Sequence, residues 1–184
     1  LSNFIDYKDN FLFSKKVNLG LDLQGGSYLL LEVDSDPIIN RKLQNKLITL
    51  RKILKENKIK YKNLKLIDKK ISFKIPDNEI NTFESFFLDK ESEFNNYYNN
   101  YKSHEMEYLL KDGLINIVYS KFGLIEIKNL ALDHSLEIVR KRIDDVGTKD
   151  PTIIKRGNDR ILIELPGLDD PNRIKKLLGK TANL

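Results

Sequence analysis

The run Leu19–Asp34, LGLDLQGGSYLLLEVD, constrains this chain more than any other feature. A polar turn built on Asp22, Gln24, Gly25 and Gly26 feeds directly into an apolar stretch. The paired glycines allow backbone conformations closed to other residues, and Asp22 is placed to accept hydrogen bonds from nearby backbone. Ser27–Asp34 has the few polar interruptions expected of a strand covered on both faces. A second informative stretch, Arg140–Gly167, follows more than a hundred residues later. There Thr152–Lys155 and Arg160–Leu165 form a hairpin around Gly157-Asn158-Asp159, with Ile161, Ile163 and Leu165 alternating inward.

Between these stretches the pattern is mixed. Leu1–Val17 has no clear period and is expected to be a lead-in from a preceding membrane segment. Asp36-Pro37 starts a helix, since Asp caps free N–H groups and Pro suits the first turn. Its stripe is Ile39, Leu43, Leu47, Leu50 and Leu54. Two strands follow, Tyr61–Ile67 and Lys70–Ile75, hinged at Asp68-Lys69. Asn78 is expected to cap a helix carrying Ile80, Phe83, Phe86 and Phe87, and Asn95–Tyr101 reads as an exposed loop. Met106–Leu110 and Leu114–Tyr119 flank Asp112-Gly113, a strong hairpin signal.

A long helix is expected from Leu130 to Val146, with Leu132, Leu136, Val139, Ile143 and Val146 on one stripe and Gly147 as its left-handed stop. Asp170-Pro171 starts a last helix with Ile174, Leu177 and Leu178 before Gly179. The outer pieces thus read β-α-β-β-α, one strand short of a ferredoxin-like β-α-β-β-α-β base. The fold expected is α+β: that base over 18–36 and 128–184, interrupted by an α-β-β-α-β-β subdomain over 37–127. The last strand is expected to be truncated, leaving one sheet position unfilled.

Charge supports two structural units. Residues 41–74 carry 13 basic and 2 acidic side chains, residues 75–127 carry 4 and 10, and 18–36 with 128–184 carry 12 and 13. A chain of 184 residues buries roughly 70% of its unfolded surface, enough for one domain or two small ones. No apolar run reaches the ~20 residues that span a bilayer, and neither an initiator Met nor a signal-peptide pattern opens the chain. It is therefore expected to be a piece of a longer protein. Without cysteine there is no disulfide framework or thiolate chemistry. Basic character comes from 25 Lys against 7 Arg in an Asn-rich text, a bias that weakens the net charge of +5 as a functional sign.

Catalytic and binding motifs are sparse. The glycine turn is neither G-x-G-x-x-G nor a P-loop, and it precedes a strand instead of opening a helix, so it lacks the N-terminal amides that bind phosphate. His104 and His134 are too few and too separated for a zinc site. Asp133-His134-Ser135 is contiguous, whereas a triad converges in space. No metal, cofactor or enzymatic activity is expected. Nucleic-acid binding is disfavoured because the outer strands 152–155 and 160–165 lack aromatics and any RNP signature. Most lysines of 41–74 fall opposite the apolar stripe and read as a solvated face, with contact to an adjacent anionic membrane surface as the minor alternative. Arg140, Arg142, Arg156 and Arg160 are expected to pair with Asp144, Asp145, Asp159 or Glu164; gripping the carbonyls of a passing polypeptide is the functional alternative.

The two stretches together resemble the SecD family of the bacterial Sec protein-export translocase, in particular the first periplasmic region after the first membrane helix. The likeness rests on Leu19, Gly20, Leu21, Asp22, Leu23, Gly25 and Gly26, then Arg142, Gly147, Pro151, Arg160, Glu164, Leu165, Pro166 and Gly167, with Leu178-Gly179. Gln24 departs from the Arg common in relatives, and 37–127 resembles the family only as an insertion in the same place. The resemblance implies an inner-membrane parent with this segment on the periplasmic side. It also implies SecF, the Sec channel and an unfolded exported polypeptide as partners, and proton-handling carboxylates in membrane helices elsewhere. A scaffold role, with the inserted unit docking a partner protein away from substrate, is the alternative.

Overall fold

A computed structural model describes residues 14–21, 26–145, 150–166 and 178. In chain order the elements are β1 (Ser14–Leu21), β2 (Gly26–Glu32), α1 (Asp36–Glu56), β3 (Lys62–Ile67), β4 (Lys70–Lys74) and α2 (Ile80–Phe87). They continue with β5 (Tyr97–Tyr98), β6 (Ser103–His104), β7 (Met106–Lys111) and β8 (Leu114–Tyr119). Last come α3 (Lys121–Asp144), β9 (Thr152–Arg156) and β10 (Arg160–Pro166). The class is α+β. The chain divides into two compact units, Leu1–Pro37 with Lys128–Leu184, and Ile38–Ile127.

The first unit contains an antiparallel sheet in the order β1-β2-β10-β9. Leu29, Leu31 and Val33 on β2 and its exit are buried, as are Ile161, Ile163 and Leu165 on β10. Register places Leu29 opposite Ile163 and Leu31 opposite Ile161, so one apolar row crosses both central strands. Ala131, Leu132, Leu136, Val139 and Ile143 of α3 are buried in the same unit, the stripe such a sheet face requires.

Two expectations are corrected here. Ser14–Val17 are not a lead-in but the first half of β1, which pairs antiparallel with β2. The sheet position expected to stand unfilled beside β2 is taken by that strand. An N-terminal hairpin, not a C-terminal strand, completes the four. The expected helix from Asp170 and any strand after Gly179 lie outside the described residues, apart from Leu178, which is helical and buried.

The second unit holds the antiparallel sheet β3-β4-β8-β7 and the short ribbon β5-β6. Ile39, Leu43, Leu50 and Leu54 of α1 join Ile71, Phe73, Ile115 and Ile117 in its core. Phe83 is the hub of the aromatic part, stacked on Phe87 at 5.1 Å and edge-on to Phe73 and Tyr108 at 5.8 and 5.2 Å. Such pairs add to simple area burial. Burial first, and then its hydrogen bond to Glu84, push the Tyr108 phenol up to about 12. Asp112 and Gly113 take left-handed φ of +51° and +69°, the geometry a two-residue hairpin needs.

α1 begins at Asp36 as expected, and Asp34 Oδ1 accepts the Asp36 amide at 2.9 Å just ahead of it. Two local readings change. Asn78 lies in a 3-10 turn, and α2 has no side-chain cap. Asn95–Tyr101 is not an exposed loop. Asn95 is fully buried, its amide donating to Phe87 O and Met106 O and accepting from Met106 N at 2.8–3.1 Å. These bonds replace a strand ladder where the chain has none.

The long helix begins nine residues earlier than its stripe implied, at Lys121 in place of Leu130. Ser120 caps it: its Oγ accepts from Gly123 N at 3.0 Å and donates to His104 O at 2.7 Å. Gly123 is there because a Cβ would lie 2.1 Å from Glu105 O.

Gly123→Ala should destabilise the chain by about 2 kcal/mol: overpacking against backbone costs up to ~3 kcal/mol and the helix propensity gain returns only ~1. Thermal unfolding should then show a fall of roughly 4–8 °C; an unchanged or higher midpoint would contradict this packing. Asn95→Ala strands three buried backbone groups and should cost about 3 kcal/mol in denaturant unfolding. A loss under ~1 kcal/mol would mean the groups find other partners.

Candidate functional surface: the outer sheet

The described motif residues converge on the first unit's sheet. Leu19, Gly20 and Leu21 lie on β1 opposite Leu29, Tyr28 and Ser27. Gly26 opens β2 opposite Pro166 at the end of β10, and Tyr28 faces Glu164. The glycine-turn stretch and the E-L-P-G stretch, remote in sequence, are thereby neighbouring strands. Asp22, Leu23, Gln24, Gly25, Gly147 and Gly167 lie outside the described residues.

Leu165 points inward and is buried, whereas Glu164 and Pro166 are exposed, as alternation along a strand requires. The open face carries one apolar row, Ile154, Leu162 and Leu30, directly opposed across β9, β10 and β2. Ile154 is 43% exposed, Leu162 and Leu30 are half-buried, and Tyr28 in the adjoining row is 42% exposed, so this face is a surface and not a core. Charged residues bound it: Arg156, Arg160 and Glu32 form the next row on one side, and Glu164 with Tyr28 on the other. A face of this kind offers an apolar contact with charged margins, and β9 adds an edge whose backbone groups have no neighbouring strand among the described residues.

Arg142 and Arg160 make contacts within the fold. Arg142, in the last turn of α3, donates from Nη1 to the carbonyl of Leu178 and so ties the helix to the L-G stretch. Arg160 Nε stands 3.5 Å from Asp159 Oδ1, and Val33 N donates to Asp159 O at 2.6 Å, closing the β9-β10 turn against the exit of β2. Pro151 is half-buried just before β9. Lys155 on β9 pairs with Asp133 on α3, a tether that no sequence spacing announced.

Asp133, His134 and Ser135 do not form a triad. Asp133 is taken by Lys155, His134 is exposed, and the buried Ser135 hydroxyl donates back to Ala131 O. His104 sits on β6 with its ring 4.9 Å from Tyr97. Among the described residues no group of three or more His, Cys, Asp or Glu is gathered as a metal site would need, and no helix is long and apolar enough to cross a membrane.

The inserted unit contains a polar bracket that sequence reasoning missed. Lys46 Nζ binds Glu105 Oε2 at 2.8 Å and the carbonyl of Phe94, with side chains only 17% and 5% exposed. Asn96 Nδ2 donates to the same carboxylate oxygen at 3.0 Å. Burial and then the Glu105 charge push the Tyr98 phenol up to about 12 and raise Tyr119 further. Lys46 lies one turn from both Leu43 and Leu50, so its place on the buried stripe was the available signal. The bracket holds the Phe94–Glu105 segment on α1 and offers no reactive group.

Comparison with known proteins matches both ends. The family described as "Protein translocase subunit SecDF, P1 domain, N-terminal" matches residues 132–184, and the "SecD/SecF GG Motif" matches residues 11–37. "Protein translocase subunit SecD" of Rickettsia typhi is 38% identical over 184 residues, all of this chain and 33% of the relative. That of Acetobacter pasteurianus is 37% identical over 177 residues, 92% of this chain and 32% of the relative. That of Pseudomonas aeruginosa is 31% identical over 168 residues, 91% of this chain and 26% of the relative. The chain spans about a third of the length of the Rickettsia typhi and Acetobacter pasteurianus relatives. No solved structure gives a significant match. The likeness runs through the inserted unit as well as through the two motif stretches, and the chain belongs to the SecD family of protein translocase subunits.

Proposed function

We propose that this chain is the periplasmic part of a membrane-bound Sec translocase subunit that assists proton-motive-force-driven export by holding or moving the emerging polypeptide. Its partners in that role are SecF, the Sec channel and the unfolded chain; proton-handling groups belong to membrane helices outside this segment, and no catalysis is assigned to it. The observation that carries the reading is the joining of the GG-motif strand to the E-L-P-G strand in one sheet. The open row Ile154, Leu162 and Leu30 and the β9 edge suit an extended, sequence-diverse chain, because backbone pairing at an edge is indifferent to side-chain identity. A second reading, the inserted unit as a docking site for a partner protein, draws on that unit's compactness and segregated charge.

Photo-crosslinkers at Ile154 and Leu162 in the full-length protein should capture an arrested export intermediate. Capture should disappear when the proton gradient has cleared the chain. Intact export with no crosslink from any open-face position would overturn substrate holding. If deletion of 37–127 removes a co-purifying protein while export continues, the docking reading holds for the inserted unit.

A further inference from the structure

Among the described residues no helix covers the second face of the inserted unit's sheet. Its inner face is apolar: Leu64, Leu66, Ile71, Phe73, Ile115 and Ile117 all belong to or pack on the core. Register fixes what lies on the other side. Lys62 faces Lys74, Lys74 faces Leu114, and Leu114 faces Lys111. The next row is Lys65, Ser72, Asn116 and Leu109, and Ile67 faces Lys70 beyond it. Asn63, with φ +57°, marks the irregularity in β3 that brings Lys62 onto the same face as Lys65.

Five exposed lysines, 62, 65, 70, 74 and 111, thus share one sheet face with a single carboxylate, Glu107, at its β7 margin. Of the unit's other acidic side chains, Glu105 is held by Lys46, Glu84 and Glu126 by tyrosines and Glu56 by Lys52, while Asp68 and Asp112 stand in the turns at the two ends of the sheet. Among the described residues no ion pair neutralises any of the five. Like charges directly opposed across strands destabilise a sheet, and the row Lys62, Lys74, Leu114, Lys111 has no acid to relieve it. Glu107 is the only carboxylate on the four strands themselves, so the face keeps a strong positive excess.

We propose that this face docks on an anionic phospholipid surface. Four strands spaced ~4.8 Å apart and about five residues deep make a face of roughly 300 Å². A stable protein partner covers about 800 Å² a side, so the area is too small for one alone. Amines set on one sheet face can all meet a planar array of phosphates together. Lysine supplies point charges without the planar fork that selects an individual phosphate, and the face has neither arginine nor aromatic ring to read a nucleic acid. Leu109 and Ile67, 67% and 44% exposed on the two outer strands, give aliphatic ends that enter the headgroup layer. At the centre of the face the Ser72 hydroxyl donates to Asn116 Oδ1 at 2.7 Å. This inference does not depend on the export reading.

The test is flotation of the 184-residue chain with vesicles of phosphatidylcholine, alone or mixed two to one with phosphatidylglycerol. Binding should occur only to the mixed vesicles and weaken steeply with salt. Lys65→Gln, Lys70→Gln and Lys74→Gln together should weaken it by roughly fivefold for each lysine. Arg51→Gln, Lys52→Gln and Lys55→Gln on α1 remove equal charge away from the face and should change it much less. Circular dichroism on both variants separates lost binding from lost folding. No binding to the mixed vesicles, or equal loss in the two triple variants, would overturn the proposal. So would capture of an acidic protein by the wild-type face with vesicles left unbound.

Discussion

The pairing of Gly26–Glu32 with Arg160–Pro166 is the interaction on which the rest of the first unit depends. It fixes the apolar row that α3 must cover, and it makes β2 and β10 the two central strands. It also brings together chain ends that Glu32 and Arg160 represent, across the whole inserted unit. Loop-closure entropy rises only logarithmically with length, and an insertion that folds on its own core contributes less still. A ninety-residue excursion is therefore compatible with a small sheet, provided the excursion satisfies itself.

It does so with two different devices. The apolar part is an aromatic cluster around Phe83. The irregular part, between α2 and β7, is held by buried polar groups: Asn95 on three backbone atoms and Lys46 on Glu105. A buried ion pair contributes little net stability against an apolar replacement, but removing one partner is costly. Its value here is register, since Glu105 also hydrogen-bonds through its backbone to Asn96 and Ser120 and crowds Gly123. One residue thereby links α1, the β5-β6 ribbon and the start of α3.

Much of this was legible in the sequence where a local signal and the tertiary structure agree. The stripe of α1, the Asp112-Gly113 hairpin, the β9-β10 hairpin and the apolar β2 all carry their periodicity openly. β1 was not legible because SKKVNLGL has no alternation of its own and becomes a strand only by pairing with β2. The start of α3 was hidden because Lys121–Leu130 precede the Leu132–Val146 stripe and are set by the Ser120 cap and the close approach of Gly123 to Glu105 O. Of the candidate surface, the motif residues were recognisable as sequence. The juxtaposition of Gly26 with Pro166, the Lys155–Asp133 tether and the Arg142 contact to Leu178 depend on register and packing that spacing does not encode. The basic excess of 41–74 was legible as charge, but not the sheet face it forms, since the irregularity at Asn63 decides on which side Lys62 stands.

The most direct measurement is residue-resolved hydrogen exchange of the Gly26–Glu32 amides in the 184-residue chain. Antiparallel strands use alternate amides for their two neighbours. A β2 held between β1 and β10 should therefore protect every amide of Ser27–Leu30, where the register to β1 is unbroken. Slow exchange throughout Ser27–Leu30 is the predicted result. Fast exchange at alternate residues would show β2 to be an edge, with the sheet position beside it open and the hairpin absent.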